Sequence, residues 1–306
     1  ITGGRSNLTY RLTDGRSQWV LRRPPVGDVL PTAHDMAREY RVIHALHGTD
    51  VPVPEPVVLC QDPDVLGADF YLMKWVGGPV LRDAEDTEGL PPEQAARRAR
   101  ALVETLATLH TTDPTALEGF GRPEGFTARQ VSRWARQWSL STTRKLPAVE
   151  ALVRRLEEAV PPAQRVSVVH GDYRLDNVIF MPNSNEIAAV IDWEMSTLGD
   201  PLTDLGLMLV YWDPLTEGVT GTRHVVSANP GFPDVATLAR AYAETSGLDL
   251  GSLDFYVALG YLKLAVIAEG IHSRYVAGQT VGPGFDRAGS AVPDLIDAGH
   301  AVLDSA

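Results

Sequence analysis

Only one cysteine, Cys60, occurs in the chain, which excludes an internal disulfide and any metal site built from several thiolates. Its simplest reading is a small buried hydrophobe. Positive charge is scarce: 27 Lys and Arg face 39 Asp and Glu, a net charge of −12. Nucleic-acid partners need clustered cations on the phosphate backbone, so none is expected. An acidic surface serves solubility and is also compatible with a polycationic small molecule. No uninterrupted run of about 18 apolar residues marks a membrane span, and Ile1 to Gly4 lack the basic and apolar regions of a secretory signal. The expectation is a soluble, cytoplasmic protein without a membrane partner. The start at Ile1 leads us to expect further residues before it, so a removed segment stays open. Low-complexity tracts, repeats and heptads are missing, which leaves the oligomeric state undefined. The phosphate-binding Gly-Lys-Ser/Thr loop, the dinucleotide fingerprint, His-Glu-x-x-His and the nucleophile elbow are missing too.

With 306 residues, 44% hydrophobic and 22% charged, the chain can bury one large core or two modest ones. Its most informative stretch is Val168-Val169-His170-Gly171-Asp172-Tyr173-Arg174-Leu175-Asp176-Asn177-Val178-Ile179-Phe180, followed by Val190-Ile191-Asp192-Trp193-Glu194. Ser167 to Val169 reads as a short strand delivering a loop, and Val178 to Phe180 as the strand leaving it. Asn183 to Asn185 is a turn signal, with Ala188 to Ile191 returning. Such a hairpin brings Asp192 back beside the Asp172 to Asn177 loop. Metal-assisted phosphoryl transfer needs a carboxylate at the attacking hydroxyl and oxygen ligands for Mg²⁺ at the nucleotide phosphates. Asp172, Asn177 and Asp192 can supply these; the plainer alternative is a pair of solvated loop acids.

At these residues the chain resembles the aminoglycoside phosphotransferase and choline kinase superfamily, whose fold is like that of protein kinases. Gly3-Gly4-Arg5-Ser6-Asn7 and Leu198 to Gly206 are similar to the branch that includes kinase domains fused to acyl-CoA dehydrogenases. The resemblance implies an α+β, two-lobed fold: a small N-terminal nucleotide-binding lobe over 1–76, with an antiparallel sheet and one helix, and a larger, mainly helical C-terminal lobe over 77–306. It implies Asp172 as catalytic base, Asn177 and Asp192 as metal ligands, ATP or GTP with Mg as cofactors, and His170 as an orienting residue. Met73, Trp75 and Val76 fall on the implied hinge that pairs with the purine. The family's strand Lys, which contacts the phosphates and is oriented by a helix Glu, is Arg22 here, with Glu39 matching the acid. Arg is a planar fork where Lys is a point charge, so phosphate geometry would differ; a plain Arg22–Glu39 ion pair is the competing view. The implied acceptor is a small molecule with a hydroxyl: a hydroxyacyl thioester from the nearest branch, or an antibiotic or choline from the wider family. A nucleotide-binding pseudokinase and a Mg-dependent hydrolase are the rivals.

The rest of the pattern fits two lobes. Asn7 to Leu12 and Trp19 to Arg22 read as a hairpin turning at Thr13 to Arg16. Gly3, Gly4 and Ser6 ahead of it either make a turn or let backbone amides approach phosphates. Thr32 to Asp35 reads as a capping box before a helix carrying Met36, Tyr40, Ile43 and His47. Val57 to Cys60 and Phe70 to Val76 are further strands, ended by Gly77-Gly78-Pro79. Helices are expected around Ala95 to Leu109, closed by His110, then over Arg129 to Leu140, Pro147 to Val160, Leu202 to Trp212, Asp234 to Ser246, Leu253 to Val276 and Val292 to Leu303. Trp134 and Trp138 read as packing or as ring-stacking residues. Asp200 and Asp204 read as helix-capping scaffold. Glu269 and His272 are expected to face water, and Arg274 either water or an anionic group on the acceptor.

Overall fold

A computed structural model describes residues 7–25, 35–279 and 287–305; Gly4 and Ser6, and Thr32 of the expected capping box, lie outside them. Strands β1 (Leu8–Thr13), β2 (Gln18–Arg23), β3 (Pro56–Cys60) and β4 (Phe70–Lys74) form an antiparallel sheet in the order β1-β2-β4-β3. The first hairpin closes on Asp14, whose carboxylate accepts from Arg16 N and Ser17 N, an Asx-type turn. Helix α1 (Met36–Leu46) packs on β3 and β4 through Met36, Val42, Ile43 and Leu46. Asp35 is itself the N-cap, accepting from Arg38 N at 2.9 Å, so the cap lies three residues later than the sequence pattern suggests.

A one-turn helix, α2 (Pro63–Leu66), precedes β4. Beyond the sheet come α3 (Pro92–Thr111), α4 (Phe126–Ser141) and α5 (Pro147–Glu158). The hairpin of β6 (Val178–Phe180) and β7 (Ile187–Val190) follows, as does the pair of β5 (Ser167–Val169) with β8 (Thr197–Gly199). Three residues long, β8 carries no periodicity of its own and was not expected. Helices α6 (Leu202–Val210), α7 (Glu217–Thr220), α8 (Val225–Ala228), α9 (Val235–Ser246), α10 (Leu253–Val276) and α11 (Ala288–Asp304) complete the chain.

By length and composition α10 is apolar enough to cross a membrane, although charged residues interrupt any continuous apolar run. With 72% of its most apolar window buried, it is the central core helix, packed against α4, α6 and α11. Gly206 makes the α6 contact possible: a Cβ there would lie 2.5 Å from the Tyr256 backbone.

Two expectations need correction in this region. Glu269 does not face water but is fully buried. It accepts from Thr143 N and Oγ1 at 3.0 Å and from Arg144 at 2.8 Å, the pairing that lets a core carboxylate stay ionised. Helix α11 starts at Ala288 and runs through Pro293. Pro293 has no N–H for the Gly289 carbonyl; the Arg144 guanidinium donates to that carbonyl instead.

Candidate active site

Strand β5 delivers the loop His170-Gly171-Asp172. Gly171 has φ +87°, and a Cβ on it would lie 2.7 Å from the Met195 carbonyl, so the turn needs glycine. The loop is held from below by Asp204 on α6, whose Oδ2 accepts from His170 N at 2.6 Å and whose Oδ1 accepts from Gly171 N at 2.8 Å. Asp204 thus caps loop amides rather than its own helix. Behind it the His110 ring lies with Nε2 3.3 Å from Asp204 Oδ2 and Nδ1 2.6 Å from the Tyr242 hydroxyl. Burial would raise the Asp204 carboxyl, yet His110, His170 and the Gly171 amide together hold it below its ordinary value.

His170 uses both ring nitrogens inside the loop. Its Nε2 meets the Ile191 carbonyl at 3.0 Å, so it carries the proton, and Nδ1 accepts from Asp172 N at 3.3 Å. The imidazole ties the loop to the β7 end and is not placed to take a substrate proton.

The Asp172 carboxylate is half-buried at the mouth of this loop. The Tyr211 hydroxyl donates to its Oδ1 at 3.0 Å, and Asn177 Nδ2 lies 3.3 Å from its Oδ2. Arg174 Nε stands 3.5 Å from the same oxygen and 2.9 Å from Asp176. Lys263, in the middle of α10, donates to the Gly171 carbonyl at 2.6 Å. Burial pushes the Asp172 carboxyl up, but Arg174, Lys263, His170 and the Tyr211 hydroxyl outweigh it and hold the group below its ordinary value. Asp172 is therefore an anion near neutral pH. Burial and the adjacent anion raise the Tyr211 phenol well above its ordinary value, which keeps it a donor.

Asn177 and Asp192 are brought together by the β6–β7 hairpin and the Ile191 N to Asn177 O bond of 2.9 Å. Asp192 is the single non-glycine residue with positive φ, +68°, among the described residues. Such strain persists only where surrounding contacts fix it. The Asn177 amide nitrogen donates to the Asp172 carbonyl at 2.8 Å, which leaves Oδ1 for other partners. A carboxylate and an amide oxygen are hard oxygen donors of the kind Mg²⁺ takes, with substrate phosphates and water completing the shell. The donor set fits that ion.

Arg22, on β2, reaches the same place from the sheet. Its Nε lies 3.2 Å from Glu39 Oε2, and its terminal nitrogen lies 3.0 Å from Asp192 Oδ1 and 3.9 Å from Glu194. Glu39 is 2% exposed and also accepts from Asn7 at 2.7 Å and from the Tyr71 hydroxyl at 2.9 Å. Burial pushes the Glu39 carboxyl up to about 7 against the pull of Arg22. Arg22→Met should lower unfolding free energy by about 2–3 kcal/mol at neutral pH, because it leaves buried Glu39 without its cation. Loss of Arg22 raises the Glu39 pKa further. A raised carboxyl contributes stability that is full below its unfolded value of 4.5 and is lost as pH rises through the folded value. Urea unfolding of the variant should therefore show a larger deficit at pH 8 than at pH 5; equal deficits would contradict the assignment.

Other expected residues fall as follows. Met73 lies in β4 opposite Val20 and Pro56. Trp75 N donates to Gln18 O at 3.1 Å, so that amide is already used. The Val76 N–H makes no hydrogen bond within the described residues. Gly78 abuts the β6–β7 hairpin: a Cβ there would lie 1.9 Å from Phe180 O. Arg274 is exposed in the last turn of α10, about 16 Å of helix rise beyond Lys263, and is not brought to Asp172. Tyr211, Arg174 and Lys263 were not singled out from sequence. For Lys263 a signal existed: a lone cation midway along an apolar helix is buried only with a partner.

A small antiparallel sheet with α1 packed on it, set against a larger helical part, and an acid-amide-acid constellation shared by the loop after β5 and the β6–β7 hairpin define a kinase-like phosphotransferase fold. The APH family model, the phosphotransferase enzyme family, matches residues 1–250, and the chain belongs to that family. It is 38% identical to acyl-CoA dehydrogenase family member 11 of Homo sapiens over 281 residues, 90% of this chain and 36% of that protein. The chain thus spans about a third of the length of such curated relatives. A crystal structure from Ralstonia eutropha, provisionally described as an aminoglycoside phosphotransferase, is 34% identical with a TM-score of 0.86, covering 99% of this chain and 91% of that one. The aminoglycoside phosphotransferase APH(4)-Ia, crystallised with AMP-PNP and hygromycin B, shares the fold at 18% identity and a TM-score of 0.66, covering 100% and 94%.

Proposed function

We propose that this phosphotransferase moves the γ-phosphate of ATP to a hydroxyl of a small metabolite, with a hydroxyacyl thioester as the acceptor class. The supporting observation is the ionised Asp172 carboxylate, fixed by Tyr211 and Asn177 beside the hairpin that carries Asn177 and Asp192. Asp172 orients the acceptor hydroxyl and receives its proton. The acceptor oxygen bonds to the γ-phosphorus as the bond to the β–γ bridging oxygen breaks, and ADP leaves. Asn177 and Asp192 are the residues that would hold Mg²⁺, which when bound supplies charge neutralisation at the phosphates. Arg22, oriented by Glu39, is placed to exchange its Asp192 contact for a phosphate. The Val76 amide at the end of the hinge is the donor for the purine, and the two lobes divide there, over 1–76 and 77–306.

The thioester class is favoured over antibiotics because the curated relatives are acyl-CoA dehydrogenase family members. The Arg22–Asp192 contact favours one rival, a nucleotide-binding module without turnover. ADP and GDP release, measured against hydroxyacyl-CoAs, aminoglycosides and choline with and without Mg²⁺, separates them. Release should require Mg²⁺, ATP and one acceptor class, and fall to background with chelator. Nucleotide binding without release for any acceptor would support the module.

A further inference from the structure

Beside the catalytic loop, a cleft of about 50 Å³ opens between the 81–82 segment and the 220–226 segment, lined in part by Tyr211 and Arg174, the two side chains that also reach the Asp172 carboxylate. Its lining includes Arg82, Arg174 and Arg223. Asp176 is the single carboxylate in the lining, and it is engaged by Arg174 at 2.9 Å. In a chain with net charge −12, three arginines converge on this lining, and two of them are already paired, Arg174 with Asp172 and Asp176 and Arg223 with Asp83 and Glu85.

The walls are fixed to each other. Arg223 N donates to Asp83 Oδ2 at 2.9 Å and Ala84 N to Arg223 O at 3.2 Å. His224 contributes no free donor: Nδ1 meets Ser227 Oγ at 2.7 Å and Nε2 meets the Tyr211 carbonyl at 3.1 Å. Arg223 is shared with Asp83 and Glu85 in ion pairs where its own side chain is 59% exposed, contacts of little net strength that a ligand can displace. The Arg82 guanidinium makes no direct side-chain hydrogen bond or close ion pair among the described residues, and its charge acts at longer range on Asp176. Leu81, Leu175, Val225 and Val226 supply the apolar part of the lining.

From this we infer that the cleft is the acceptor site and that it selects an acceptor carrying an anionic group, carboxylate or phosphate, read by Arg82 with Arg223, on an apolar body that leads its hydroxyl to Asp172. The inference rests on the phosphotransferase reading for the position of Asp172, and it names the acceptor's charge. A polycation would find no uncommitted carboxylate in this lining and would meet arginines instead.

Calorimetric titration tests it, with excess ADP present so that the nucleotide's place is filled. The probes are 6-hydroxyhexanoate, 6-hydroxyhexyl phosphate, 6-hydroxyhexanamide and 6-amino-1-hexanol, alike in length and different in charge. One or both anions should bind more tightly than the amide, and the better anion identifies the headgroup. Arg82→Gln should weaken the anion by about tenfold and leave the amide unchanged, with Arg82→Lys restoring most of the loss. Binding of the amine as tight as that of either anion, no anion binding at all, or anion affinity unchanged in Arg82→Gln would overturn the proposal. Because binding is read without turnover, failure of catalysis alone would count against the phosphotransferase reading and not against this site.

Discussion

Asp172→Asn should lower kcat by at least about 10²-fold while folding and nucleotide affinity stay near wild type. The amide keeps the size of the carboxylate, and its oxygen can still accept from Tyr211. What it loses is the negative charge that, in the proposed mechanism, orients the acceptor hydroxyl and then takes its proton. The surroundings make the wild-type group an anion, since Arg174, Lys263, His170 and Tyr211 together overcome the effect of burial. Steady-state kinetics with parallel nucleotide titration separates the two effects. A fall in nucleotide affinity equal to the fall in kcat would mean that the residue holds the site together and does not serve the transfer.

Asp204 should be the residue whose loss destabilises most. It accepts from two consecutive loop amides and from His110 while only 1% exposed. Asp204→Asn turns one accepting oxygen into a donor facing an N–H, and a buried network broken at one member costs about 3–5 kcal/mol. The pH dependence has a definite sign. Asp204 is held below its ordinary value of 3.8, so its contribution is present above that value and is lost as pH falls through the lower folded value. The gap between wild type and variant in denaturant unfolding should be full at pH 6 and shrink at pH 3. A gap independent of pH would remove the carboxylate from the account.

How much of this was legible in the residues differs from element to element. β5 and β6 fall where the apolar runs around His170-Gly171-Asp172 put them, because short buried strands bounded by loop residues announce themselves. Asp172, Asn177 and Asp192 could be picked out because their spacing along the chain is also the geometry of a hairpin. Contacts between distant segments could not. Tyr211 and Lys263 meet the His170 to Asp172 loop across 39 and 92 residues of chain, and no local pattern reports such a meeting. Glu269 misled for the same reason: an acid near a helix end looks solvated until Thr143 and Arg144 are placed beside it. From its place in the first turn of α6, Asp204 reads as a helix cap, the correct chemistry applied to the wrong amides. Arg22 stands where the resemblance implies a phosphate-contacting Lys, but its contact with Asp192 depends on how the sheet closes over the hairpin.

The central claim is that the chain transfers phosphate to a hydroxyl through Asp172. Phosphorus NMR of wild type and Asp172→Asn, incubated with ATP, Mg²⁺ and a hydroxyacyl-CoA, tests it most directly. The predicted result is a new phosphate monoester on the acceptor, equal in amount to the ADP formed, in the wild type and not in the variant. Inorganic phosphate without a phosphorylated acceptor, or the same monoester yield from both proteins, would contradict it.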